Sequence, residues 1–125
     1  MANDGAKLNV SGIGGVFVRS TNQEALALWY EEKLEVSQVS KTGVWAQEAG
    51  PTVFSPFPAD TDYFGRSDQQ FMLNFRVDDL DGMLEKLGES DVKIDSKRED
   101  SEYGRFAWIY DPEDNKIEVW EPPQA

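Results

Sequence analysis

The chain has 125 residues, 39% hydrophobic and 29% charged, which suits one globular domain with a single core. It contains no cysteine and no histidine. Disulfides, thiolate zinc sites, Ser–His triads and imidazole acid–base chemistry are therefore excluded, and any proton transfer falls to carboxylates, lysine, tyrosine or water. Twelve basic against 24 acidic residues give a net charge of −12, which opposes nucleic acid as a partner.

The opening "MANDGAKLNV" lacks the basic and apolar regions of a signal peptide. No apolar run approaches the roughly 18 residues of a membrane span. The expectation is a cytoplasmic protein that does not enter membranes. "SGIGGVFVRS" (11–20) then reads as a strand. Thr21 and Glu24 have the T-x-x-E spacing of a capping box and predict a helix start. Ala25, Leu26, Leu28, Trp29 and Leu34 give that helix its apolar stripe. Strands are predicted near 36–40, 43–48 and 52–57, separated by turn residues at Lys41-Thr42-Gly43 and Gly50-Pro51. "PADTDYFGRSD" (58–68) is the connection that follows. Its apolar part, 57–65, carries Tyr63 and Phe64 and is read as packing on the other half of the chain, with a lid or dimer contact as alternatives.

"QQFMLNFRV" (69–77) is the next predicted strand. A second helix starts after Asp78 or Asp79, buries Leu80, Met83, Leu84 and Leu87, and ends at Gly88. Strands near 92–96, 104–110 and 115–120 close the chain, the last two joined by the turn Asp111-Pro112-Glu113-Asp114-Asn115. "DSKREDSEYGRF" (95–106) is a charged hairpin region, with Tyr103 its candidate for reaching a cleft.

The two halves repeat each other weakly. At an offset of 58, Phe17 falls on Phe75, Leu26 on Leu84, Leu34 on Val92 and Val36 on Ile94. "GVWA" (43–46) then matches "GRFA" (104–107), and "TVFSPFP" (52–58) matches "KIEVWEP" (116–122). The order of elements is βαβββ twice, with module one at 11–58 and module two at 69–122 of a single domain, 1–125. A ferredoxin-like α+β dimer is the runner-up, but eight strands are too many for it.

"GGVFVRSTNQEALALWYEEKL" in the first half, with "NFRVDDLDGMLEKL" and "GRFAWIYDPEDNKIEVWEP" in the second, resembles the vicinal oxygen chelate superfamily of glyoxalases, bleomycin-resistance proteins and dioxygenases. The V-D-D-L-D helix entry and the D-P-x-x-N-x-I-E-x-W ending carry most of that resemblance, which spans residues 11 to 122. It implies an α+β fold in which two βαβββ modules form curved mixed sheets around a cleft, usually in a homodimer. Metal-using members hold their ion at four inward positions, which here fall on Gly14, Phe54, Met72 and Glu118. Only Glu118 offers a hard donor. The expectation is therefore no metal and no cofactor, with Glu118 a metal ligand only if a residual site exists.

Strand alternation completes the reading. Leu73, Phe75, Val77, Ala107 and Ile109 suit the helix side of the sheet. Met72, Asn74, Arg76, Phe106, Trp108, Tyr110, Lys116, Glu118 and Trp120 then face the cleft. The first module adds Val16, Val18, Trp45, Gln47 and Phe54. The candidate ligand-binding set is Trp45, Gln47, Phe54, Met72, Asn74, Arg76, Phe106, Trp108, Glu118 and Trp120, an aromatic cup with few polar groups. Arg76 could pair with Glu118 or grip a ligand carboxylate. A purely structural Glu–Arg pair with aromatic filling is equally compatible with the sequence. The expected function is binding of a small aromatic or amphipathic molecule. The alternative is a lyase or isomerase with Glu118 as catalytic base.

Overall fold

The computed structural model of the protein describes residues 8–124. Its elements are α1 (Gln23–Leu34), β1 (Leu73–Arg76), α2 (Leu80–Glu89), β2 (Lys93–Ser101), β3 (Gly104–Tyr110) and β4 (Lys116–Glu121). The strands form one mixed sheet in the order β1-β4-β3-β2, with β1 parallel to β4 and the other pairs antiparallel. This is the second predicted module, βαβββ, with α1 added.

The first half departs from its reading. Its helix forms, but the segments predicted as strands near 11–20, 36–40, 43–48 and 52–57 carry no strand. A strand persists only where a neighbour takes its N–H and C=O groups. Backbone bonds around 36–43 are instead local: the Gln38 carbonyl accepts from the N–H groups of Lys41, Thr42 and Gly43. The side chains of Phe17, Val44, Val53 and Phe54 stand exposed.

The core lies on the helix side of the sheet. Leu80 and Leu87 from α2 meet Ala107, Ile109, Ile117 and Val119 from the two central strands, with Val92 at the edge. Trp29, Tyr30 and Leu34 of α1 pack against the same cluster, as do Phe75 and Val77. Burial of each large side chain here contributes about 2 kcal/mol. Among the described residues no helix is long and apolar enough to cross a membrane.

The helix ends correct two details. Asn22, not Thr21, caps α1, accepting from the Ala25 N–H at 3.2 Å. The Thr21 N–H is turned away, donating to Glu113 at 2.8 Å. Asp79 caps α2 as expected, accepting from the Gly82 N–H at 3.1 Å. That helix runs past Gly88 to Glu89, and the left-handed residue after it is Asp91, at φ 62°.

The Asp111–Asn115 turn anchors the first half to the second. Buried Asp111 accepts from the backbone N–H groups of Glu113 and Asn115, from the Asn115 amide and from the Tyr30 hydroxyl. Glu113 accepts from the Ser20 hydroxyl and the Thr21 N–H, and these donors, Ser20 first, hold its carboxyl below the usual range. Arg66 of the connection donates to the Glu113 carbonyl and to Asn115. The D-P-x-x-N stretch is thus a structural joint between α1, the connection and the sheet.

Candidate functional site

The pleat sends Ala107, Ile109, Ile117 and Val119 to the core. Their neighbours Phe106, Trp108, Tyr110, Lys116, Glu118 and Trp120 occupy the opposite face. The ladder then sets Asn74 and Trp108 on either side of Glu118, and Phe106 beside Trp120. Glu118 sits at the centre of this face and is only 8% exposed.

A buried carboxylate needs donors, and Glu118 has three. Oε1 accepts from Asn74 Nδ2 at 2.7 Å, while Oε2 accepts from Trp108 Nε1 at 3.1 Å and from the Tyr63 hydroxyl. Tyr63 comes from the apolar connection, which lies across the sheet. Its ring meets Trp108 edge-on, with centroids 6.0 Å apart, and stacks on Phe57 at 5.4 Å. Burial first, then the bond to Glu118, pushes the Tyr63 phenol up. That cover leaves Trp108 only 1% exposed. Lys116 Nζ stands 5.2 Å from the Tyr63 ring and 5.5 Å from Trp108, and donates to the Tyr63 carbonyl.

Two further groups flank this centre. On one side the Phe106 and Trp120 rings lie nearly parallel, at 10° and 6.3 Å, with Trp120 Nε1 donating to the Tyr103 carbonyl. On the other, the Tyr110 hydroxyl donates to Asp95 at 2.7 Å. Partial burial, followed by that bond, raises the Tyr110 phenol to about 12. Lys93 Nζ caps the Tyr110 ring at 4.5 Å.

Of the predicted ligand set, Asn74, Phe106, Trp108, Glu118 and Trp120 come together. Arg76 does not join them: its guanidinium donates to the Glu48 carbonyl at 2.9 Å and lies over Gly50. Trp45 packs at the sheet edge, 6.1 Å from Phe75 of the core side. Phe54 and Gln47 are exposed, and Met72 is half-buried just before β1. The Tyr103 side chain is also exposed. Tyr63 and Lys97 join this face from outside the predicted ligand set, and Lys116 stands on it as the alternation predicts. The apolar character of the 57–65 connection was the available signal for Tyr63. A shallow groove beside the α2 N-terminus, lined by Arg76, Asp79 and Met83, and another along α1 lie elsewhere.

The donor set does not fit a resident metal. Gly14, Phe54 and Met72 offer no hard ligand atom, and the Glu118 oxygens already accept three protein bonds. Among the described residues no three His, Cys, Asp or Glu side chains gather to hold an ion.

The mixed four-stranded sheet with its two helices is a glyoxalase-like α+β fold. Residues 12–119 match the model of the Glyoxalase/Bleomycin resistance protein/Dioxygenase superfamily, and the chain belongs to that superfamily. Two solved structures share the fold. TnmS3, an antibiotic binding protein from Streptomyces sp. CB03234, is 24% identical, with a TM-score of 0.60 over 94% of this chain and 100% of that one. A superfamily member from Sphaerobacter thermophilus DSM 20745 is 15% identical, with a TM-score of 0.57 over 90% and 98%. No curated protein matches the chain.

Proposed function

We propose that the aromatic face around Glu118 binds a small aromatic or amphipathic molecule, without a protein-bound metal. The observation that carries this reading is the shared face itself. Phe106 and Trp120 stack there, half-buried, beside a carboxylate that the protein's own donors satisfy. Such a surface gives a flat ligand a stacking platform and polar contacts at one end. TnmS3 binds an antibiotic, so antibiotic-like molecules are natural first ligands to try. The enzymatic alternative, with Glu118 as general base, needs acceptor positions on its oxygens, and three of roughly four are occupied.

The reading includes a homodimer in which first-half segments complete a second curved sheet. Support comes from Phe17 at 92% and Phe54 at 83% exposure, on segments that carry no ladder of their own. The test is calorimetric titration of an aromatic ligand panel into protein treated with chelator, beside Trp120→Ala. A loss of about tenfold or more in that variant is expected for a stacking ring. Unchanged affinity in Trp120→Ala, or binding abolished by the chelator, would sink the proposal. Sedimentation of Phe17→Asp/Phe54→Asp tests the dimer, which should dissociate.

A further inference from the structure

β2 and β3 fall out of step between Ile94 and Arg98. Ile94 pairs with Ile109 and Arg98 with Ala107, so β2 carries two extra residues opposite Trp108. A bulge of this kind bends the strand and re-aims side chains. Two extra residues preserve the in–out parity: Ile94 stays with the core, and Arg98 reaches Asp81 on α2. The aromatic face gains both Asp95 and Lys97, where a regular ladder would supply one group.

Asp95 is already engaged, accepting from the Tyr110 hydroxyl and the Lys97 N–H. The Lys97 ammonium is not. It stands 5.4 Å from the centre of the Trp108 ring. Among the described residues it forms no ion pair, whereas Lys86, Lys93, Arg66, Arg98 and Arg105 all do. Lys116, the other cation on Trp108, is held by the Tyr63 carbonyl. Glu99 shares the face opposite Phe106, but forms no ion pair with Lys97 among the described residues.

In a chain of net charge −12, an anion approaching the sheet meets general repulsion. A face built only of aromatics and carboxylates would favour cations. The Lys97 ammonium over Trp108, outside any ion pair among the described residues though its charge also acts on Asp95, adds positive charge to that face. We propose that Lys97 makes the aromatic face select a planar ligand bearing a carboxylate. The ligand ring lies towards Phe106 and Trp120, and its charge meets Lys97 Nζ. This rests on the aromatic-binding reading above and narrows it to aromatic acids. The competing account is a lysine that merely lays its stem over Trp108 and keeps its charge in water.

Calorimetry with 2-naphthoate and its neutral analogue 2-naphthamide separates the two. In the wild-type protein at low salt, naphthoate should bind about tenfold more tightly, as a charge-assisted bond allows. Lys97→Met should erase that ratio by weakening naphthoate alone, and Lys97→Arg should keep it. Added salt should narrow the gap. A ratio near one in the wild type, or a ratio untouched by Lys97→Met, overturns the selectivity while leaving naphthamide binding as support for the aromatic face. Failure of both probes to bind overturns the selectivity and the aromatic-face reading together.

Discussion

Replacing Glu118 tests whether its three bonds hold the molecule together. In Glu118→Ala, the donors of Trp108, Asn74 and Tyr63 lose their acceptor at once. Trp108 is 1% exposed, so its indole N–H cannot turn to water. An orphaned buried donor costs about 1–3 kcal/mol, and the lost charge-assisted bonds at half-buried Tyr63 and exposed Asn74 add about 1 kcal/mol each or less. The expected loss is therefore up to about 5 kcal/mol. Glu118→Gln should be far milder. Its carbonyl can take the place of Oε2 and accept from Trp108 and Tyr63, and its amide then faces Asn74. Asn74 can rotate its own amide to present an oxygen. Only the charge assistance is lost, about 1–2 kcal/mol. Urea denaturation at fixed protein concentration measures both, and Asn74→Ala completes a cycle. The glutamine variant should suffer less in the Asn74→Ala background than the two single costs summed. Equal losses for alanine and glutamine, or an alanine loss under about 1 kcal/mol, would refute this account of Glu118.

Two further outcomes follow from other contacts. A methyl group at Gly50 would lie 1.3 Å from Arg76 Nη1, so Gly50→Ala must drive the guanidinium off the Glu48 carbonyl. The bond is exposed, so the cost is about 1 kcal/mol or less, and it should vanish in an Arg76→Ala background when both are measured by denaturation. The Tyr110–Asp95 bond predicts a pH window. The Tyr110 phenol is raised to about 12 from 10.0, so its contribution is complete below pH 10 and is lost as pH climbs to about 12. Asp95 is held low by the Lys97 N–H first and Tyr110 second, so its share persists above its ordinary range and fades as pH falls below it. Tyrosinate absorbance should show one phenol ionising near pH 12 in the wild type and missing in Tyr110→Phe.

The second half was legible because its sequence carries two periodicities that agree. The 3.6-residue stripe of Leu80, Met83, Leu84 and Leu87 and the two-residue alternation at 104–110 and 116–121 point at one another, and the core they predict is the core observed. The first half has alternation without a partner. "GGVFV" and "PTVFSPF" read as strands, yet strand formation is decided by a neighbour's backbone, which local sequence does not supply. The site divides in the same way. Asn74, Trp108 and Glu118 follow from parity alone. Tyr63 reaches Glu118 across 55 residues of chain, and Arg76 reaches backward to a carbonyl. Neither pairing has a periodic signature. The two extra residues in β2 were hidden because the charged run 95–100 shows no break in its pattern.

Glu118 is a buried carboxylate on the last strand, on the face turned away from the apolar core. Its present neighbours give a reason for it to remain acidic. Asn74 lies on β1, Trp108 on β3 and Tyr63 on the connection, so one side chain on β4 gathers three separate parts of the molecule. A neutral acceptor such as glutamine would keep these pairings but lose their charge assistance. An apolar replacement would strand the Trp108 N–H behind the Tyr63 ring. The same bonds hold the apolar connection down on the sheet and so decide how much of the aromatic face is open. Tyr63, whose hydroxyl donates to Glu118, closes over Trp108, while Phe106 and Trp120 stay half-buried. Glu118 is thereby accounted for as the group that ties β1, β3 and the connection to β4.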